Sequence, residues 1–101
     1  MIREEFVPRA VWNGILVAES DTTQVLDGYH YFPPRSVRRE YLRESSTKSV
    51  CPWKGVANYY HLEAPGGEVS SDAAWCYPQT KAAAYNVQGY IAFWKGVAVE
   101  D

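Results

Sequence analysis

Cys51 and Lys54 fall within the run Cys51-Pro52-Trp53-Lys54-Gly55, and they are the pairing best suited to covalent chemistry. An ammonium close to a thiol lowers its pKa, and the thiolate is the nucleophile. Pro52 and Gly55 suggest a tight bend that would present both side chains, with Tyr59 or Tyr77 placed to assist proton transfer. One reading of the chain is therefore an enzyme with Cys51 as nucleophile or redox centre and Lys54 beside it. In a simpler reading Cys51 fills a small core site and Lys54 points to solvent. Free cysteines are mostly buried, and no His or Asp is arranged as a partner.

The aromatic residues suggest binding rather than bond-making. The chain has four Trp and eight Tyr in 101 residues, a high share for a soluble domain. Tyr31, Trp53, Tyr59, Trp75, Tyr77 and Tyr90 could line a concave pocket, their faces giving contact area and their hydroxyls fixing orientation. Arg35 and Lys54 would then hold an anion at its rim, Arg35 through a planar fork and Lys54 as a point charge. The leading expectation is a small-molecule-binding module for an anionic or planar metabolite. The competing explanation is core packing, because a small β-fold fills its interior with large side chains and favours Trp and Tyr in strands. A third reading is a protein-interaction domain using an edge strand or an exposed aromatic patch.

Other chemistries find less support. His30, His61, Cys51 and Cys76 are the right residue types for zinc, but they lack the local pairs of a structural zinc site, so no metal or cofactor is expected. Asp21, Asp27 and Asp72 are isolated along the chain. Asn13-Gly14 and Gly66-Gly67 are turn glycines without the Lys-Ser/Thr of a phosphate-cradling loop. A net charge of -2 argues against an extended nucleic-acid surface. Met1-Ile2-Arg3-Glu4-Glu5 has no apolar signal core, and no apolar run approaches the ~18 residues of a membrane span. A cytoplasmic chain with two reduced thiols follows, and 101 residues suit one domain over 1–101.

Strands must position these residues. Asn13-Gly14 between Arg9–Trp12 and Ile15–Ala18 predicts a β-hairpin, since Asn-Gly supplies the positive φ angles of a two-residue turn. Asp27-Gly28 predicts a second hairpin or tight corner between Gln24–Leu26 and Tyr29–Phe32, which Pro33-Pro34 ends. Residues 35–44 suit either a short helix or an outer strand. Residues 56–63 alternate in part as a strand, with Val56, Tyr60 and Leu62 on one face and Tyr59 and His61 on the other; Pro65-Gly66-Gly67 turns it back toward 68–70. Thr80–Val87, with three alanines, is the one helical candidate, and 89–94 and 97–99 close the fold as strands. The class is mainly β.

Three segments together resemble the bacterial domain-of-unknown-function family 427, sometimes labelled nucleotidyltransferase-like. They are Trp12-Asn13-Gly14 with Tyr31-Phe32-Pro33; Cys51-Pro52-Trp53-Lys54-Gly55 with Tyr59-Tyr60; and Ala74-Trp75-Cys76-Tyr77-Pro78 with Gly89-Tyr90-Ile91-Ala92-Phe93. The resemblance implies an Mss4-like, or β-tent, arrangement in which two antiparallel sheets meet at an angle, with one short helix near 80–87. Many β-tent relatives hold zinc on two Cys-x-x-Cys pairs; this chain has no such pair. The transferase label implies clustered carboxylates for Mg²⁺, and none is evident in the sequence. Trp94-Lys95-Gly96 stands where relatives often continue with Tyr-Pro.

Overall fold

The computed structural model describes residues 7–100, so the charged opening Met1–Glu5 lies outside the described residues. In chain order the strands are β1 (Arg9–Trp12), β2 (Ile15–Glu19), β3 (Gln24–Leu26), β4 (Tyr29–Tyr31), β5 (Leu42–Cys51), β6 (Gly55–Glu63), β7 (Val69–Cys76), β8 (Ile91–Phe93) and β9 (Ala98–Glu100). They form a three-stranded sheet β2-β1-β9, a two-stranded ribbon β3-β4 and a four-stranded sheet β5-β6-β7-β8. Every pairing is antiparallel.

Both expected hairpins form where the turn chemistry places them. Asn13 and Gly14 have φ of 55° and 74°, and Asp27 and Gly28 have 53° and 83°. Two successive positive φ angles match the right-handed twist of the flanking strands. The ribbon is a third sheet beyond the two expected, and it docks on the four-stranded sheet. Phe32 N–H donates to Ile91 O at 2.7 Å, and Ile91 N–H returns the bond at 2.9 Å. Each bond is worth about 1 kcal/mol net, and complete burial of Phe32 contributes roughly 1.5–3 kcal/mol. The pair of bonds and the buried ring are thus of comparable weight in holding the ribbon, and the bonds also set its register.

Two local expectations change. The helix over 80–87 is a 3-10 segment, Ala82–Val87, kinked at Ala84 (φ -118°, ψ 19°). Six residues are too few to repay α-helix nucleation, and the segment is held instead by burial of Ala84 and Val87. Within 35–44 there are two 3-10 turns, Pro34–Ser36 and Arg39–Tyr41, followed directly by β5. β5 is the longest strand and most of it is exposed, so its polar sequence carries no alternation.

The four-stranded sheet is covered on both faces, and period two sorts its side chains. Leu62, Ala74, Cys76, Ile91 and Phe93 face a core shared with Ala10, Trp12, Val17 and Ala18 of the β1–β2 hairpin. Ala57, Trp75 and Ala92 point the other way, into a second cluster with Tyr31, Tyr77, Ala84 and Val87. Tyr60 packs on the first cluster and Tyr59 on the second, as alternation along β6 requires. No helix is long and apolar enough to cross a membrane among the described residues.

Candidate functional site

The second cluster does not close over completely. A pocket of about 230 Å³ opens above it, lined by Asp27, Tyr29, Tyr31, Lys54, Tyr59, Trp75, Tyr77 and Trp94. Trp75, almost fully buried, forms the floor. The rings of Tyr29, Tyr31 and Trp94 stand across it at interplanar angles of 86°, 89° and 68°, with centroids 5.0, 6.1 and 5.3 Å away. Such edge-to-face contacts match the ring quadrupoles and fix the box without a bound ligand. Trp75 Nε1–H donates to Tyr31 Oη at 3.3 Å, which leaves the Tyr31 hydroxyl proton free to donate elsewhere.

Among the described residues Lys54 is the one charged residue in the buried core, at 7% exposure. Its position follows from the turn that carries it. Cys51 pairs with Gly55 across the β5–β6 hairpin, and Gly55 has φ 127°, where a Cβ would lie 2.8 Å from Gln79 O. Only glycine allows the chain to pass this close to residue 79. Lys81 clamps the turn from outside, its N–H donating to Lys54 O at 3.0 Å and its Nζ to Pro52 O. The Lys54 side chain is thereby driven inward. Its Nζ donates to Asp27 Oδ2 at 2.5 Å and lies 5.0 Å from the Trp53 ring centroid and 5.6 Å from that of Tyr77. Asp27 sits at the tip of the β3–β4 turn with its side chain 54% exposed, so the pair joins a buried cation to a solvated anion.

The electrostatics move Lys54, Tyr31 and Tyr77 in one direction, toward the protonated form. Burial works against the Lys54 charge, but the hydrogen bond it donates to the Asp27 carboxylate leads the influences that outweigh burial and raise the pKa. Burial also raises the Tyr31 and Tyr77 pKa values, against the lowering influence of the Trp75 hydrogen bond on Tyr31 and of Lys54 on both. The pocket therefore offers the Lys54 ammonium and the un-ionised hydroxyls of Tyr31 and Tyr77. It suits recognition of hydrogen-bond acceptors and gives neither an amine nucleophile nor a phenolate base.

Of the residues expected in a site, Tyr31, Lys54, Tyr59, Trp75 and Tyr77 converge here. Trp53 lies outside the lining but stacks over Lys54 Nζ. Arg35 and Tyr90 do not join them; they border a separate groove with Glu19, Ser20 and Asp21. Cys51 is half-buried against the second cluster and lines none of the pocket, while Cys76 is buried and its thiol pKa is raised by burial. Lys54 does not point to solvent, contrary to the simpler sequence reading; the hairpin clamp turns it inward.

Sequence reading missed Asp27, Tyr29 and Trp94. The signal for Tyr29 was available, because Tyr29/Tyr31 and Trp75/Tyr77 are spaced two apart and share a face. His30, between the two tyrosines, bonds Thr23 instead. Among the described residues no three of His, Cys, Asp and Glu converge as metal ligands would.

A second polar centre supports the pocket wall. Strand β5 bulges between Glu44 and Lys48, and β7 departs from register opposite His61. The two irregularities meet at Asp72 (φ 53°). Its carboxylate accepts from Ser45 Oγ at 2.5 Å and Thr47 Oγ1 at 2.8 Å, and these bonds lower its pKa. Its backbone N–H donates to His61 Nδ1 at 3.0 Å, which places the proton of a neutral His61 on Nε2. Its carbonyl accepts from Trp94 Nε1 at 2.6 Å, fixing that indole in the wall of the box.

A family described as a domain of unknown function (DUF427) matches residues 6–101. No curated protein matches the chain.

Proposed function

Because the chain belongs to the DUF427 family, whose description assigns no activity, we propose from its geometry that the protein is a small-molecule-binding module, its ligand seated on Trp75 and against Lys54. The observation that carries this reading is the buried Lys54 ammonium, enclosed by aromatic rings and held by a single carboxylate. An ammonium has three donors, and burying one with unused capacity costs free energy that a core made only for stability would avoid. Apolar walls with a few convergent polar groups are the general form of a ligand site. The raised pKa values of Lys54, Tyr31 and Tyr77 favour binding over acid–base turnover. Two free thiols suit a reducing compartment, and the cytoplasm is the proposed location.

The test is a thermal-shift and Trp-fluorescence screen with small planar carboxylates, cyclic amides and quaternary ammonium ions at millimolar concentration. A binder should raise Tm and change the emission of Trp75 and Trp94, and a Trp75→Leu variant should lose the response. If no member of the panel moves either signal, the reading fails.

A further inference from the structure

The two halves of the Lys54–Asp27 pair differ in their freedom to move. Lys54 is locked by its burial and by the Lys81 clamp on its backbone. Asp27 is carried on the tip of a ribbon with only three residues in each strand, and more than half of its side chain already faces water. Released from Lys54, Asp27 would be solvated at little cost, whereas Lys54 would remain buried and in need of an anion. Asp27 also lines the pocket, so a ligand that reaches Trp75 meets the Asp27 carboxylate on the group it would itself bind.

The charge balance narrows the ligand class. An aromatic box also suits a quaternary ammonium ion. Here, however, Lys54 Nζ already takes a cation's place against the rings, 5.6 Å from the Tyr77 centroid and 5.0 Å from that of Trp53. One buried ammonium is matched by one negative charge, so exchange of one carboxylate for another leaves the pocket neutral. The space, about 230 Å³, is below the ~300–1,000 Å³ of larger ligand sites and suits one substituted ring.

Resting on the binding-module reading, we propose that the ligand is a single-ring aromatic monocarboxylate whose carboxylate replaces that of Asp27 on Lys54 Nζ. Asp27 is then a built-in competitor that sets the affinity.

Titration calorimetry of benzoate, nicotinate, benzamide and tetramethylammonium against wild type, Asp27→Asn and Lys54→Met tests this. Asn tolerates the positive φ of position 27, so Asp27→Asn removes the competing charge and keeps the turn. Benzoate or nicotinate should bind wild type, bind Asp27→Asn about tenfold more tightly, and lose about tenfold or more in Lys54→Met. Benzamide, which is neutral, should not gain affinity from Asp27→Asn. Unchanged or weaker carboxylate binding in Asp27→Asn overturns the proposal, and that arm does not depend on Lys54→Met folding. Binding of benzamide or tetramethylammonium, with neither carboxylate bound, overturns the carboxylate assignment and leaves the binding module standing. If all four probes fail on wild type and the wider screen also fails, both readings fall.

Discussion

Asp27 and Asp72 have the same backbone twist, φ 53° at each, and both touch the aromatic box, Asp27 as part of its lining and Asp72 through the Trp94 wall, yet they are bonded in opposite ways. Asp72 is tied at every polar atom: two hydroxyls hold its carboxylate oxygens, His61 takes its N–H and Trp94 donates to its carbonyl. Asp27 has one carboxylate partner, Lys54, and otherwise faces water. A polar group bonded at every one of its atoms within the fold braces the structure. One paired with a buried partner that still has capacity to spare marks a place where another molecule can enter.

The contrast is easiest to break at Asp72. Asp72→Ala removes both hydroxyl bonds and leaves a residue without a side-chain hydrogen bond at a positive φ, so Tm should fall by about 10 °C. A shift within experimental error would show that the two bulges do not need their tie.

Asp72→Asn is milder and sharpens the electrostatic side. The folded pKa of Asp72 lies below its ordinary 3.8, so the carboxylate contributes stability that is present above 3.8 and is lost as pH falls through the lowered value. Urea unfolding between pH 5 and pH 2 should show wild type losing stability more steeply than Asp72→Asn. Parallel curves would remove the carboxylate from the account.

Trp94→Phe keeps the ring and loses the Nε1–H bond to Asp72 O, which should cost about 1 kcal/mol in urea unfolding. It should also weaken any pocket ligand, because the wall is no longer pinned. Full stability together with full affinity would uncouple the Asp72 centre from the pocket.

The smallest effect is expected at Lys54. Replacing the ammonium by an apolar group of similar length removes a buried charge whose partner is already solvated, so Lys54→Met should stay within about 1 kcal/mol of wild type at pH 7. The Lys54 charge contributes stability that is complete below 10.5 and is lost as pH rises through its raised folded value, so the variant should lose less between pH 10 and pH 12. A large loss at pH 7 would make Lys54 a structural brace like Asp72 and contradict the contrast.

The fold was legible in the sequence where its causes are local. Asn13-Gly14 and Asp27-Gly28 dictate hairpins through their φ angles, and alternation along 56–63 separates Tyr59 from Tyr60. β5 was not legible, because an exposed edge strand with a bulge carries neither alternation nor an apolar run. Five of the expected site residues converge in the pocket, while Arg35 and Tyr90 fall outside it because the ribbon docks through Phe32 and directs Tyr29 and Tyr31 toward Trp75. The direction of the Lys54 side chain was likewise hidden, since the clamp at Lys81 comes from a distant segment.

By itself, then, the amino-acid sequence determined the antiparallel β class, the positions of the two tight turns and the faces on which aromatic residues must alternate. These depend on φ preference and on period two within a few residues. Only the tertiary structure decided that Asp27 would meet Lys54 and that Asp72 would tie Ser45 to Trp94. Contacts between residues this far apart in sequence depend on sheet register and on where bulges interrupt it, and a slip of one residue sends every side chain of a strand to the opposite face.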